Sequence, residues 1–243
     1  MPHHARIEAP PILITGAARS GTSLVAATIA ACGAWSGKMP EPTATNPGEG
    51  MFELRAITNR VVKPYLSDAG FDPMCQDPLP DPKHLPPLPG LRDRVDAILH
   101  AEGYREESGK PWLLKDPKAC LMWPAWRTAY PSARWVIVRR RKEDIVASCL
   151  RTRFMRRRTT AAEWLDWAEH HERCLAEIMD SGAQAREIWP SELVHGNFGP
   201  ARKVISWLGL QWTAAAQAIA DASLWHERPE QPLPTEQCGE CRL

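Results

Sequence analysis

No stretch of this 243-residue chain is apolar for long enough to span a membrane, and its start, Met1-Pro2-His3-His4-Ala5-Arg6, holds no apolar signal core. A cytoplasmic protein is the expectation. Excess charge is missing too: 30 basic side chains nearly cancel 29 acidic ones, leaving +1. This gives no general drive towards nucleic acid or a membrane, so neither is expected as a partner, and any affinity for anions must come from local clustering. Paired cysteines are also lacking. The seven (Cys32, Cys75, Cys120, Cys149, Cys174, Cys238 and Cys241) are odd in number and scattered, which argues against a disulfide framework. Cys238 and Cys241 form a lone C-x-x-C; with no second pair or histidine cluster, zinc there would need ligands from outside. No internal repeat is visible.

What remains is a globular composition, 44% hydrophobic and 24% charged. It is read as one domain over residues 1–230, followed by a flexible tail, 231–243. Short apolar runs alternate with helical patterns. Ile12–Ile14, Pro111–Leu114, Trp135–Val138 and the weaker Glu187–Trp189 read as strands. Helical spacing appears at 52–66, where Pro64 marks a break, and again at 91–99, 122–130, from 143 or 144, and from 160. Thr160-Ala161-Ala162-Glu163 is a capping box. The helix it opens should bury Trp164, Leu165, Ala168, Leu175, Ile178 and Met179, and end at Gly182. A helix through Val204, Ile205, Trp207 and Leu208 should stop at Gly209, with one more from 214 to 222. The proline-rich stretch 72–89 reads as a loop or lid. The fold class is α/β, a three-layer sandwich around a central parallel sheet, with ligands beyond the carboxyl ends of the strands.

The first strand runs into Gly16-Ala17-Ala18-Arg19-Ser20-Gly21-Thr22-Ser23 and then a helical pattern. Strand, glycine loop and helix start make a phosphate cradle: the backbone turns tightly, and free N–H groups at the positive helix end face the anion. The spacing Gly16-x-x-x-x-Gly21 is that of a P-loop, but Thr22 stands where a nucleotide triphosphatase carries lysine. The positive charge lies inside the loop instead, at Arg19. A second basic cluster, Arg139-Arg140-Arg141-Lys142, ends a strand and precedes a helix bearing Ser148. A third, Lys115-Asp116-Pro117, ends another strand. Arg151, Arg153, Arg156, Arg157 and Arg158 form a further basic run, a solvated face or a steering patch. Trp123, Trp126 and Trp212 are candidates to stack on an aromatic ligand.

The loop Arg19-Ser20-Gly21-Thr22-Ser23-Leu24 resembles the 5′-phosphosulfate loop of sulfotransferases, in the R-S-G-T-[ST]-L form of the tyrosylprotein and bacterial branches. These enzymes use 3′-phosphoadenosine 5′-phosphosulfate (PAPS) and release 3′-phosphoadenosine 5′-phosphate (PAP). In that family an arginine at a strand end and a serine eight positions on bind the 3′-phosphate; Arg140 and Ser148 match the spacing, with Arg139 one position early. The family's usual proline two residues after the arginine is Lys142 here. K-D-P occurs after a central strand in tyrosylprotein sulfotransferases, where the lysine is catalytic, which implies that role for Lys115. The histidine base of the steroid and phenol enzymes has no counterpart beside Pro117. Asn46-Pro47-Gly48-Glu49-Gly50-Met51-Phe52-Glu53 is similar to the bacterial N-P-x-G-[YF]-x-E segment, and Glu53 is the first choice of base, with Glu49 and Glu41 as rivals.

The resemblance therefore implies metal-independent sulfuryl transfer from PAPS to a hydroxyl or amine of a small-molecule, carbohydrate or peptide acceptor. Ala18, Arg19, Ser20, Gly21, Thr22, Ser23, Arg140 and Ser148 would bind the nucleotide. Lys115, Glu53 and Arg19 would serve the chemistry. A P-loop small-molecule kinase and a non-catalytic nucleotide-binding module are the alternatives.

Overall fold

The computed structural model describes residues 6–37 and 52–219. Four parallel strands form the centre: β1 (Ile12–Thr15), β2 (Leu113–Lys115), β3 (Arg134–Val138) and β4 (Gln184–Ile188), in spatial order β2-β1-β3-β4. Ile14 lies opposite Lys115 and Val136, so the carboxyl ends of β2, β1 and β3 finish along one edge. The chain runs from β1 outward to β2, then back past β1 to β3. This reversal opens a crevice at the end of β1, the usual ligand position in such sheets.

Both faces of the sheet are covered, which explains why β1 is buried at every position and apolar from Ile12 to Ile14. On one face Leu13, Leu114, Trp135 and Ile137 pack with α4 (Leu91–Ala101), α5 (Trp123–Ala129) and α7 (Ala161–Asp180). On the other, Ile12, Ile14, Leu113, Val136 and Val138 meet α1 (Thr22–Ala31), α8 (Pro190–Val194), α9 (Gly199–Trp207) and α10 (Ala214–Ile219). Alternate strand residues thus feed two cores, giving the three-layer α/β sandwich expected from the sequence. A third cluster joins Ala17, just after β1, to Ile145 and Cys149 of α6 (Lys142–Arg151) and to Trp164 and Trp167 of α7.

The element boundaries carry two corrections. Pro64 does not break its helix. Residues α2 (Arg55–Ile57), a π turn (Thr58–Val62) and α3 (Lys63–Asp68) run on without interruption. Proline lacks the N–H that would bond the carbonyl of Arg60. That carbonyl instead accepts a hydrogen bond from Arg94 Nη2 of α4 at 2.8 Å. In α7 the buried stripe is Trp164, Trp167, Ala168, His171, Cys174, Leu175 and Ile178, whereas Leu165 is exposed. Leu165 sits one position off the i, i+3, i+4 track that faces the core. The Thr160 capping box closes as its sequence implies, with both reciprocal bonds present.

The segment 72–89 forms no regular element, but it is tied down. Asp72 accepts the N–H groups of Met74 and Gln76 at 3.1 and 2.9 Å. Tyr65 donates its hydroxyl to Pro86 O at 2.6 Å, and His170 Nε2 meets Pro80 O at 2.9 Å. The tail 231–243 lies outside the described residues. Among those described, no helix is long and apolar enough to cross a membrane.

Candidate active site

The glycine loop leaves β1 at Gly16, where only glycine fits. A Cβ there would lie 2.5 Å from Val138 O and 2.8 Å from Ser20 Oγ. Arg19 (φ 73°) and Gly21 (φ 94°) both adopt left-handed backbone, a strained choice for arginine. The strain is held by contacts: Ser20 N–H bonds Ala17 O at 3.1 Å, and Arg140 Nη1 donates to Arg19 O at 2.9 Å. Gly21 then starts α1 with no side-chain cap, leaving the first helix amides to face the loop's concavity. Ser20 is fully buried and its hydroxyl has no protein partner. An orphaned buried hydroxyl inside a loop of left-handed turns fits a bound oxyanion.

The second cluster meets the first directly. Arg19 Nε donates to Ser148 Oγ at 3.1 Å, and the Arg140 bond to Arg19 O closes the contact from the other side. Arg139, the neighbouring candidate, points away: it bonds Glu172 of α7 and lies 2.7 Å from Glu187 of β4. Arg139 N–H still bonds Ile188 O at 2.9 Å, so Arg139 stays beside β4 while Arg140 turns to the loop.

At the end of β2, Lys115 is 3% exposed and its Nζ lies 2.7 Å from Glu53 Oε1. The fold thus brings together two residues 62 positions apart in the chain. Glu41 and Glu49 lie outside the described residues.

The sequence reading missed the buried polar groups beneath this pair. Asp116, with no exposed surface, accepts the hydroxyl of Thr58 at 3.1 Å and both the amide and the ammonium of Lys118, at 2.9 and 3.0 Å. Burial pushes the Asp116 carboxyl up, but the Lys118 ammonium and its hydrogen bonds outweigh it, holding the carboxyl below its ordinary value. Lys118 shows the mirror case: burial opposes its charge, and Asp116 and Glu53 raise it overall. The signal was present as Asp116-Pro117, a cap residue followed by proline at the first helical position. The charge of Lys118 three residues after Lys115 was not informative without knowing that both are buried.

One stacking candidate is corrected. Trp126 is fully buried against Tyr130, out of reach of a ligand. Trp212 rests against Phe198 with Arg202 over its ring. A cleft of about 520 Å³ lies between the proline-rich segment and α4 and α5, walled by residues such as Leu85, Pro87 and Met122. It shares no residue with the groups above, so size alone does not locate the chemistry.

The glycine loop after β1, the basic end of β3 beside it, and threonine in place of the P-loop lysine thus stand together at the carboxyl edge of the sheet. The sulfotransferase family model matches residues 10–214, and the chain belongs to that family. No curated protein sequence matches it significantly. Its fold is similar to that of sulfotransferase STF1 from Mycobacterium tuberculosis H37Rv (TM-score 0.52, 17% identity, 89% of this chain and 71% of that one). It is also similar to the sulfotransferase domain of the Synechococcus PCC 7002 olefin synthase (TM-score 0.54, 14% identity, 88% and 78%). A third likeness is sulfotransferase STF9 from Mycobacterium avium (TM-score 0.50, 15% identity, 93% and 70%). At these identities the likenesses speak for the fold alone.

Proposed function

We propose that the chain transfers a sulfuryl group from PAPS to a hydroxyl acceptor by in-line displacement. The observation that carries this reading is the contact between the two anion motifs, Arg19 Nε to Ser148 Oγ and Arg140 Nη1 to Arg19 O. A nucleotide with phosphate groups at both its 5′ and 3′ positions needs two neighbouring anion sites, and these share a wall. The amides at the start of α1, the Ser20 hydroxyl and the side chains of Thr22 and Ser23 would hold the 5′-phosphosulfate. Arg140 and Ser148 would take the 3′-phosphate. Arg19, reaching Ser148, stands between the two sites and serves both. Arg139, engaged with Glu172 and Glu187, is left out.

In the reaction the acceptor oxygen forms a bond to sulfur as the bond from sulfur to the 5′-phosphate oxygen breaks. Glu53 accepts the hydroxyl proton, and Lys115 stabilises the negative charge gathering on the leaving oxygen. In the free protein these two groups neutralise each other across 2.7 Å. Movement of Lys115 towards the leaving oxygen frees the Glu53 carboxylate for the proton, so the two roles are coupled. The cytoplasm is the proposed location.

The test is calorimetry with PAP, adenosine 5′-phosphate and Mg²⁺–ATP, followed by turnover of PAPS with a panel of alcohols. Tight, metal-independent PAP binding that is much stronger than that of adenosine 5′-phosphate supports the reading. Preference for Mg²⁺–ATP would overturn it in favour of a kinase. PAP binding without any PAPS turnover, including slow hydrolysis, would leave only a binding module.

A further inference from the structure

After α6 the chain enters two tight turns, Thr152 N–H to Cys149 O and Met155 N–H to Thr152 O, both at 3.0 Å. Met155 is buried with Ala17, Trp164 and Trp167, which anchors this turn beside the phosphate loop. Its neighbours are turned outward. Arg151, Arg153, Arg156 and Arg157 are exposed, and none of them forms an ion pair among the described residues. Three carboxylates bonded to the flanking residues Arg158 and Thr160 are already engaged. Asp77 and Asp166 pair with Arg158, and Glu163 is held by the Thr160 capping box.

The same edge displays large apolar side chains. Among the described residues only five large hydrophobics are exposed, and three belong here: Leu150 (48%), Phe154 (41%) and Met74 (44%). Gln76, itself 3% exposed, ties Phe154 to the segment bearing Met74, and Leu150 lies four residues before Phe154 at the end of α6. Gln76 Nε2 donates to Phe154 O at 2.8 Å, while its Oε1 accepts the amides of Arg156 and Arg157 at 2.8 and 3.1 Å. A buried amide thus clamps the arginine turn to the segment bearing Met74, so the patch is a built surface rather than a loose basic run. The balanced charge of the whole chain averages over it.

We propose that this cationic, apolar-studded edge docks on anionic lipid bilayers and so holds the phosphate loop next to a membrane surface. Guanidinium groups meet the headgroup phosphates and draw on the negative surface potential, while Phe154, Leu150 and Met74 enter the acyl boundary. A soluble polyanion would satisfy the arginines but leaves the three apolar side chains without a purpose. The proposal is independent of the sulfuryl-transfer reading.

The experiment is co-sedimentation of the full chain with vesicles of phosphatidylcholine alone and of phosphatidylcholine mixed with phosphatidylglycerol. Binding to the mixed vesicles should be at least about tenfold tighter, and should fade as added salt shortens the screening length. Arg153→Ala/Arg156→Ala/Arg157→Ala should weaken it roughly tenfold to a hundredfold. Leu150→Ser/Phe154→Ser should weaken vesicle binding by about tenfold while leaving retention on a heparin column unchanged. All five positions are exposed, and an unchanged melting temperature checks that each variant is folded. Equal binding to both vesicle types overturns the proposal. So does full vesicle binding by the Leu150/Phe154 variant with heparin retention tracking the arginines, which would assign the patch to a soluble polyanion.

Discussion

Replacing Lys118 by methionine isolates the buried ion pair under the site. Methionine keeps a long unbranched chain in the same space but removes the ammonium. Asp116, with no exposed surface, is then left with the Thr58 hydroxyl and one backbone amide. Breaking one partner of a buried pair costs about 3–5 kcal/mol, because the other charge stays buried without compensation. For a domain of this size, at about 2–4 °C per kcal/mol, the melting midpoint should fall by roughly 6–20 °C. Asp116→Asn/Lys118→Met should recover most of the loss, since no buried charge remains and asparagine still caps the turn and accepts from Thr58. The pH dependence follows from the Asp116 carboxyl lying below its ordinary value of 3.8. A carboxyl held low adds stability above its unfolded value and loses it as pH falls through the folded one. The gap between parent and Lys118→Met should therefore be widest near neutrality and should close on acidification, as Asp116 takes up a proton in the variant. Urea melts of the three proteins at neutral and acid pH provide the measurement. A single variant within about 1 kcal/mol of the parent at neutral pH, or a double variant less stable than the single, would refute the reasoning.

Arg140→Ala and Ser148→Ala should weaken PAP far more than adenosine 5′-phosphate in calorimetry; equal losses for both ligands would remove these residues from the 3′-phosphate. Arg19→Ala should weaken both ligands, PAP by about 1.5–3 kcal/mol, because its guanidinium borders both sites. Glu53→Gln should leave PAP affinity within a few-fold and lower kcat by about 10²–10⁴-fold, and Lys115→Ala should slow even the hydrolysis of PAPS by about 10²–10³-fold; full turnover in either variant sinks its assignment. Gly16→Ala forces a methyl to 2.5 Å from Val138 O, so the β1–β3 contact must shift and PAP binding should collapse; unchanged affinity would show that the loop tolerates the displacement.

The candidate site was legible where its signals are local. Gly16 to Ser23 announces a cradle within eight residues, and the step from Arg140 to Ser148 lies within a strand end and the helix it enters. The capping box at Thr160 and the stops at Gly182 and Gly209 were read from neighbouring residues for the same reason, and both glycines take positive φ. What escaped depends on partners far along the chain. Pro64 reads as a break until Arg94 supplies the missing donor to Arg60 O. Gln76 is an ordinary polar residue in a proline-rich loop until the chain brings Phe154 and Arg156 beside it. Lys118 resembles any surface lysine, because the burial that gives it meaning is created by Thr58 and Asp116 arriving together. Trp126 failed as a stacking candidate because tryptophan's size favours the core equally well.

The bond from Arg140 to the carbonyl of Arg19 has a thermodynamic consequence. It joins the backbone of one proposed anion site to the side chain of the other, so on this reading filling one should bias the other. Such linkage is reciprocal: whatever an anion in the first site adds to affinity in the second, an anion in the second must add to the first. Pyrophosphate and adenosine 3′-phosphate, offered together as separate fragments, should bind with a coupling free energy rather than independently. Removal of the Arg140 guanidinium should bring that coupling towards zero, even where each fragment retains some affinity of its own.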